Sequence, residues 1–136
     1  MNTKNYPNWL INVGQAKKLK EIGFDEPCEF SLPIKQYEDF DINELNFDFQ
    51  KENHNDSFDK WSIPTYEQVF EWFREKGFVS FIKIDNQSMF DEGCYYCYVI
   101  SNERGKTIDC KSDFDDYKEA REALVKALIQ TYNMLN

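Results

Sequence analysis

Residues 64–85 read PTYEQVFEWFREKGFVSFIKID, and this stretch decides the fold class. Thr65 and Gln68 have the spacing of a capping box. The Thr65 hydroxyl accepts from the backbone of Gln68, and the Gln68 side chain reaches back to the N–H of Thr65. Tyr66, Val69, Phe70 and Phe73 then fall within roughly 100° of arc on a helix. Glu67, Glu71, Arg74 and Glu75 take the other side, and Trp72 sits at the margin, where partial cover is expected. Gly77 supplies the left-handed residue that ends a helix, with Phe73 and Phe78 as the hydrophobic pair closing a Schellman motif. Residues 78–85 follow as a strand, rich in aromatic and β-branched side chains. A capped helix running straight into a strand is the core of an α+β fold.

Working outward, residues 94–101 form a second strand. Residues 102–105 form a turn with Gly105 at its left-handed position, and 106–111 return as a third strand. The result is a three-stranded antiparallel meander. A long helix closes the chain from about Asp115 or Asp116 to about Met134, with Asp116 and Glu119 placed for a second capping box. Tyr117, Ala120, Leu124, Ala127 and Leu128 share one face. Val125, Ile129 and Tyr132 form an adjoining apolar flank, so the apolar arc is about twice the width that a surface helix needs. Such a helix is either covered on two sides within the fold or meets a second subunit, giving a monomer or a homodimer through the last helix.

Towards the N-terminus, residues 13–22 form a helix stopped at Gly23, with Leu19 and Phe24 as its closing pair. Residues 28–35, interrupted by Pro33, and 45–49, which alternate apolar and polar, read as a hairpin packed on the main sheet. The expected architecture is one α+β domain over residues 1–136. Its order is helix, hairpin, capped helix, meander and long helix, with the helices on one face of the sheet. Residues 37–62 form an acidic connecting region.

The 136 residues include 12 Phe, 8 Tyr and 3 Trp, too many aromatic side chains for a disordered acidic chain. A net charge of −9 excludes a basic nucleic-acid-binding face. Eight of the acids (Glu38, Asp39, Asp41, Glu44, Asp48, Glu52, Asp56, Asp59) lie in residues 37–59 beside a single base, Lys51. Most of the net charge therefore belongs to one stretch, and Asp39, Asp41, Glu44 and Asp48 are its candidate partner-binding acids. The opening residues lack a signal-peptide pattern, and no apolar run is long enough for a membrane span. Four cysteines without a secretory signal read as reduced thiols, so a cytoplasmic location is expected. The glycosylation triplets at Asn55 and Asn86 then carry no weight.

No catalytic, cofactor-binding or metal-ligating set emerges. Cys94 and Cys97 lie within a strand, where residues three apart point to opposite faces, and Cys28 and Cys110 are isolated in sequence. His54 is the sole histidine and sits in an Asn-rich loop, where solvent exposure is expected. Asp39, Asp41 and Glu44 lack the glycine and terminal glutamate of a calcium loop. None of the five glycines forms a phosphate cradle. Phe70, Phe73, Phe78, Phe81, Tyr96 and Tyr98 fit core and sheet positions, leaving Tyr95 and Trp72 for exposure.

The segments KKLKEIGFDEPC (17–28), IPT (63–65), FEWFRE (70–75) and YKEAREAL (117–124) occur in an order that resembles a group of small uncharacterised proteins of gut anaerobic bacteria and their prophages. Phe73 replaces the usual leucine, and Asp115 and Asp116 replace the usual serine near the last cap. The shared motifs are caps, helix stops and core aromatics, so the resemblance implies a fold and no site residue. Prophage association implies a protein that binds another protein. The expected function is a non-enzymatic cytoplasmic interaction protein, an accessory or inhibitory factor of a mobile element with a basic protein partner. The alternative is a small enzyme or ligand-binding module with a pocket between sheet and helices.

Overall fold

The structure, a computed structural model, describes residues 6–34, 44–85 and 95–136. The elements run α1 (Val13–Glu21), β1 (Cys28–Pro33), β2 (Asn46–Glu52), β3 (Lys60–Ile63), α2 (Tyr66–Glu75), β4 (Val79–Asp85), β5 (Tyr95–Ser101), β6 (Thr107–Phe114) and α3 (Tyr117–Leu135). A 3-10 turn at His54–Asp56 lies between β2 and β3. Among the described residues, three helices and two three-stranded antiparallel sheets make an α+β fold. The chain divides into two compact units, residues 1–69 and 70–136.

In the first unit, α1 starts where the Asn12 side chain accepts from the N–H of Gln15 at 2.9 Å. It stops at Gly23, whose φ is 94°. There Phe24 N–H donates to Leu19 O at 2.9 Å and Gly23 N–H to Lys20 O at 3.1 Å, the two bonds of a Schellman ending. Leu19 and Phe24 are buried together with Ala16. The expected hairpin forms, β1 pairing with β2, but it belongs to a sheet of its own. The second edge of β1 is taken by β3, with Phe30 opposite Ile63 and Leu32 opposite Trp61. Residues 60–62 belong to the expected connecting region, and this strand escapes local patterning because it is only four residues long before Pro64 ends it. Its side chains do not alternate between cover and exposure: Trp61, Ser62 and Ile63 are all buried. Helix α1 packs on this strand, and Lys17 Nζ sits 5.2 Å from the centre of the Trp61 ring.

In the second unit, α2 ends as the sequence dictates, with Phe78 N–H donating to Phe73 O at 2.9 Å and Gly77 at φ 96°. The meander has order β4-β5-β6, with Val79 opposite Ser101 and Asp85 opposite Tyr95 at the two ends of the first pairing. Strand β6 runs past the expected end at Lys111 because it carries a bulge. Tyr98 faces Lys111 and Tyr96 faces Phe114, so Ser112 and Asp113 share the place opposite Cys97. Asp113 adopts φ 77°, a left-handed conformation unusual for a residue with a side chain.

Helix α3 lies on the meander, packing most extensively against β5. Asp116 caps it by accepting from Glu119 N–H at 2.8 Å. Two expectations about exposure are overturned here. Trp72, placed at the margin of α2, is only 2% exposed because Tyr132 of α3 closes over it, with ring centres 5.4 Å apart. The same Tyr132 ring also meets Phe73 and Phe78. The flank of Val125, Ile129 and Tyr132 is thus largely covered within the chain. Val125 and Ile129 are buried within the chain itself, and Tyr132 is half-buried among these rings. Phe81 departs in the other direction, being 48% exposed on the edge strand β4.

Two substitutions test this backbone description with opposite signs. Replacing Gly77 by Ala forces a side chain into a left-handed position and should lower unfolding free energy by about 1 kcal/mol. Asp113→Gly relieves the same strain in the bulge and should raise it by roughly 0.5–1 kcal/mol. Urea denaturation midpoints measure both, and equal signs would contradict the assigned dihedrals.

Candidate functional site

The first unit's outermost strand carries the most conspicuous surface. Every residue of β2 is exposed. Its ends are pinned to β1, Asn46 and Phe47 opposite Ser31 and Phe30, and Glu52 opposite Cys28. Between these pairs, Glu29 on β1 faces residues 48–51 on β2, so β2 must bow away from its neighbour. Asp48 stabilises the bow by accepting the Gln50 N–H on its own carboxylate at 3.3 Å.

The bow lifts Phe49 to 91% exposure, and Phe47 beside it is half exposed. Their rings meet at 5.0 Å between centres. Phe47 in turn meets Phe30 of β1 at 5.1 Å, and Phe30 meets Trp9 at 5.4 Å. Four aromatic rings thus form one ridge, with mutual tilts between 50° and 73°. Trp9, at the far end, is itself 48% exposed.

The same part of the chain carries exposed acids. Asp48, Glu52, Asp56 and Asp59 are exposed, and Glu44 is partly so. The Ser57 hydroxyl donates to Asp59 and holds its carboxyl below the usual carboxylate range. Of the four acids singled out from sequence, Asp48 lies between Phe47 and Phe49 along β2 and Glu44 two residues before that strand, while Asp39 and Asp41 lie outside the described residues. Lys51, the segment's one base, lies 3.9 Å from the Glu29 carboxylate.

His54 is a correction. It is buried, not solvated, because the 3-10 turn folds back against β1. Its Nε2 lies 3.2 Å from the carbonyl of Cys28, which can only accept, so Nε2 carries the proton. Nδ1 lies 3.2 Å from the Glu52 carboxylate without hydrogen-bond alignment. Asn55 completes the anchorage, donating to Phe24 O and accepting from Ser62 N–H, both at 2.9 Å. Its side-chain amide is therefore occupied by structural bonds. Lys20 donates to the carbonyls of Ser57 and Lys60 from the opposite side. These three side chains hold the acidic turn that follows β2 in a fixed conformation.

The described thiols are divided between the units, Cys28 in the first and Cys97 and Cys110 in the second. Cys28 is buried on β1, and burial pushes its thiol up to about 12. Cys97 and Cys110 line an open groove on the meander together with Lys83, Val99 and Thr107, but Cys94 lies outside the described residues. Tyr98 is also perturbed, burial and the Asp109 carboxylate that accepts from its hydroxyl at 3.1 Å raising it to about 12. Among the described residues no group of three His, Cys, Asp or Glu side chains is arranged to hold a metal ion. Nor is any described helix long and apolar enough to cross a membrane. Comparison with known proteins adds nothing to this geometry: no family model, curated protein or solved structure matches the chain.

If the ridge is a surface feature, its tip is dispensable for folding. Phe49→Ser should change unfolding free energy by no more than about 0.5 kcal/mol, whereas Leu32→Ala on the adjacent buried strand should cost roughly 2–5 kcal/mol. Urea denaturation compares them directly. The thiols give a second check. In the native protein at mildly alkaline pH, iodoacetamide should modify exposed Cys110 roughly tenfold or more faster than Cys28, which burial keeps protonated. Peptide mapping by mass spectrometry reads each site separately.

Proposed function

We propose that this protein is a non-enzymatic cytoplasmic interaction protein that offers the acidic, aromatic surface of its first unit to a basic protein partner. In this reading it serves as an accessory or inhibitory factor of a mobile element. The observation that carries the reading is β2. Its exposed Phe47 and Phe49 stand beside exposed Asp48 and Glu52 in a segment with eight acids and one lysine. Apolar rings supply contact area in such a surface, and the carboxylates supply charge complementarity and steer encounter. The partner is a protein rather than a nucleic acid because phosphate would be repelled by the same acids.

Charge steering makes the reading testable. Partners captured from a bacterial lysate on the wild-type protein are purified, and their association is followed by stopped flow. The association rate constant should fall as salt rises, because screening shortens the range of the attraction. A variant carrying Asp39→Asn, Asp41→Asn, Glu44→Gln and Asp48→Asn should associate roughly tenfold more slowly at low salt and lose most of the salt dependence. Identical partner sets and identical rates for the two proteins would sink the proposal.

A further inference from the structure

Resting on that reading, we infer that the segment recognised is specifically arginine-bearing, its guanidinium groups stacking on the Phe47–Phe49 ridge while the neighbouring carboxylates take their N–H groups. The inference starts from the rings. Phe49 is 91% exposed, and its recorded ring contact is with Phe47 alone among the described residues, so most of its face is open. The bow in β2 and the Asp48–Gln50 turn present it away from the sheet, and bulges commonly re-aim a side chain in this way.

A partly hydrated apolar partner would be satisfied by aliphatic side chains of any kind, but the charge around the ridge selects a cation. Asp48 stands between Phe47 and Phe49, and one of its oxygens is used by Gln50 N–H, leaving the other for an incoming donor. Glu52 closes the strand two residues beyond Gln50, 58% exposed at its side chain.

Arginine and lysine differ in how they meet such a surface. A lysine ammonium is compact and strongly hydrated, so it either contacts the ring or keeps its water and its carboxylate. A guanidinium is planar and weakly hydrated above and below its plane. It can lie on a ring with one face and still donate in-plane to a carboxylate at the rim. Exposed phenyl rings on a strand that also carries the exposed carboxylates of Asp48 and Glu52 therefore favour arginine. A second copy of this chain is the wrong occupant, because it would bring another eight-acid segment against the first.

The test uses two peptides, Gly-Arg-Gly-Arg-Gly-Arg-Gly and its lysine counterpart, titrated into the full-length protein by calorimetry at low salt. Wild type should bind the arginine peptide roughly fivefold or more tightly than the lysine peptide. A Phe47→Leu/Phe49→Leu variant keeps apolar bulk but removes the ring faces. It should bind both peptides equally, at the wild-type lysine level, with an unchanged circular dichroism spectrum. Equal affinities in wild type, or a ratio that survives the leucine pair, overturns the inference while leaving the acidic-surface reading intact. If Asp48→Asn with Glu52→Gln weakens neither peptide, both readings fall together.

Discussion

The first unit depends on how the chain is fastened at Pro64 and Thr65. Pro64 has no N–H to extend β3, so the strand stops there, and its carbonyl is taken by Ile11 N–H at 2.9 Å. Thr65 and Gln68 then exchange the two bonds of a capping box, at 2.9 and 3.2 Å. The remaining amide of Gln68 donates to Pro27 O at 3.0 Å, which ties the approach to β1 into the same junction. Leu10 bridges to Thr65, and Tyr66 N–H donates to Trp9 O. One five-residue stretch, Pro64 to Gln68, thereby fixes the N-terminal segment, two strands and the start of α2 against one another. Trp9 owes its position to this junction, and Trp9 is where the aromatic ridge begins.

From that anchor the ridge runs from order into exposure. Phe30 is partly covered, Phe47 half exposed and Phe49 almost wholly so. Fully burying a phenylalanine contributes about 1.5–3 kcal/mol, and Phe49 contributes little of that to its own fold. The local structure is instead arranged to keep it out, through the bow in β2 and the Asx-type bond from Asp48. The turn that follows is treated in the opposite manner. His54, Asn55 and Lys20 commit buried or half-buried polar groups to holding it. A chain that fixes its acidic turn and extrudes its aromatic tip has spent stability on a shape, not on a core.

Local signals explain what could be read in advance. The Thr65–Gln68 capping box, the Asp116 N-cap, the Schellman endings and the glycine of the β5–β6 turn each involve residues within six positions of one another, and each is found where the sequence places it; of the second expected box, the bond from Glu119 N–H to Asp116 is present. What escaped reading was decided by partners far away in the chain. β3 exists because β1 lies thirty residues earlier and has a second edge to offer. His54 is buried because its turn meets Cys28, and Trp72 because Tyr132 of the last helix closes over it. The broad apolar arc of α3 was visible, but whether Val125 and Ile129 met the fold or a neighbour depended on packing. The acids of the candidate surface were legible as composition. The rings between them looked like ordinary strand alternation, and the irregular pairing of β1 with β2 is what turns Phe49 outward.

The acids and the rings of β2 also constrain each other. An exposed edge strand with phenylalanines at alternate positions is a template for self-association, and natural edges carry charges against it. Here the charge is one-signed. Two copies approaching through β2 would set Asp48, Glu52 and the turn acids against their own equivalents, at distances shorter than the roughly 8 Å over which physiological salt screens. In the proposed reading, the carboxylates that repel a second copy attract a cationic partner, and the rings beside them in the chain are the ones that partner would meet. Selectivity at this surface therefore needs no pocket. In the proposed reading it follows from placing apolar area on a strand whose charge favours the approach of a positively charged segment.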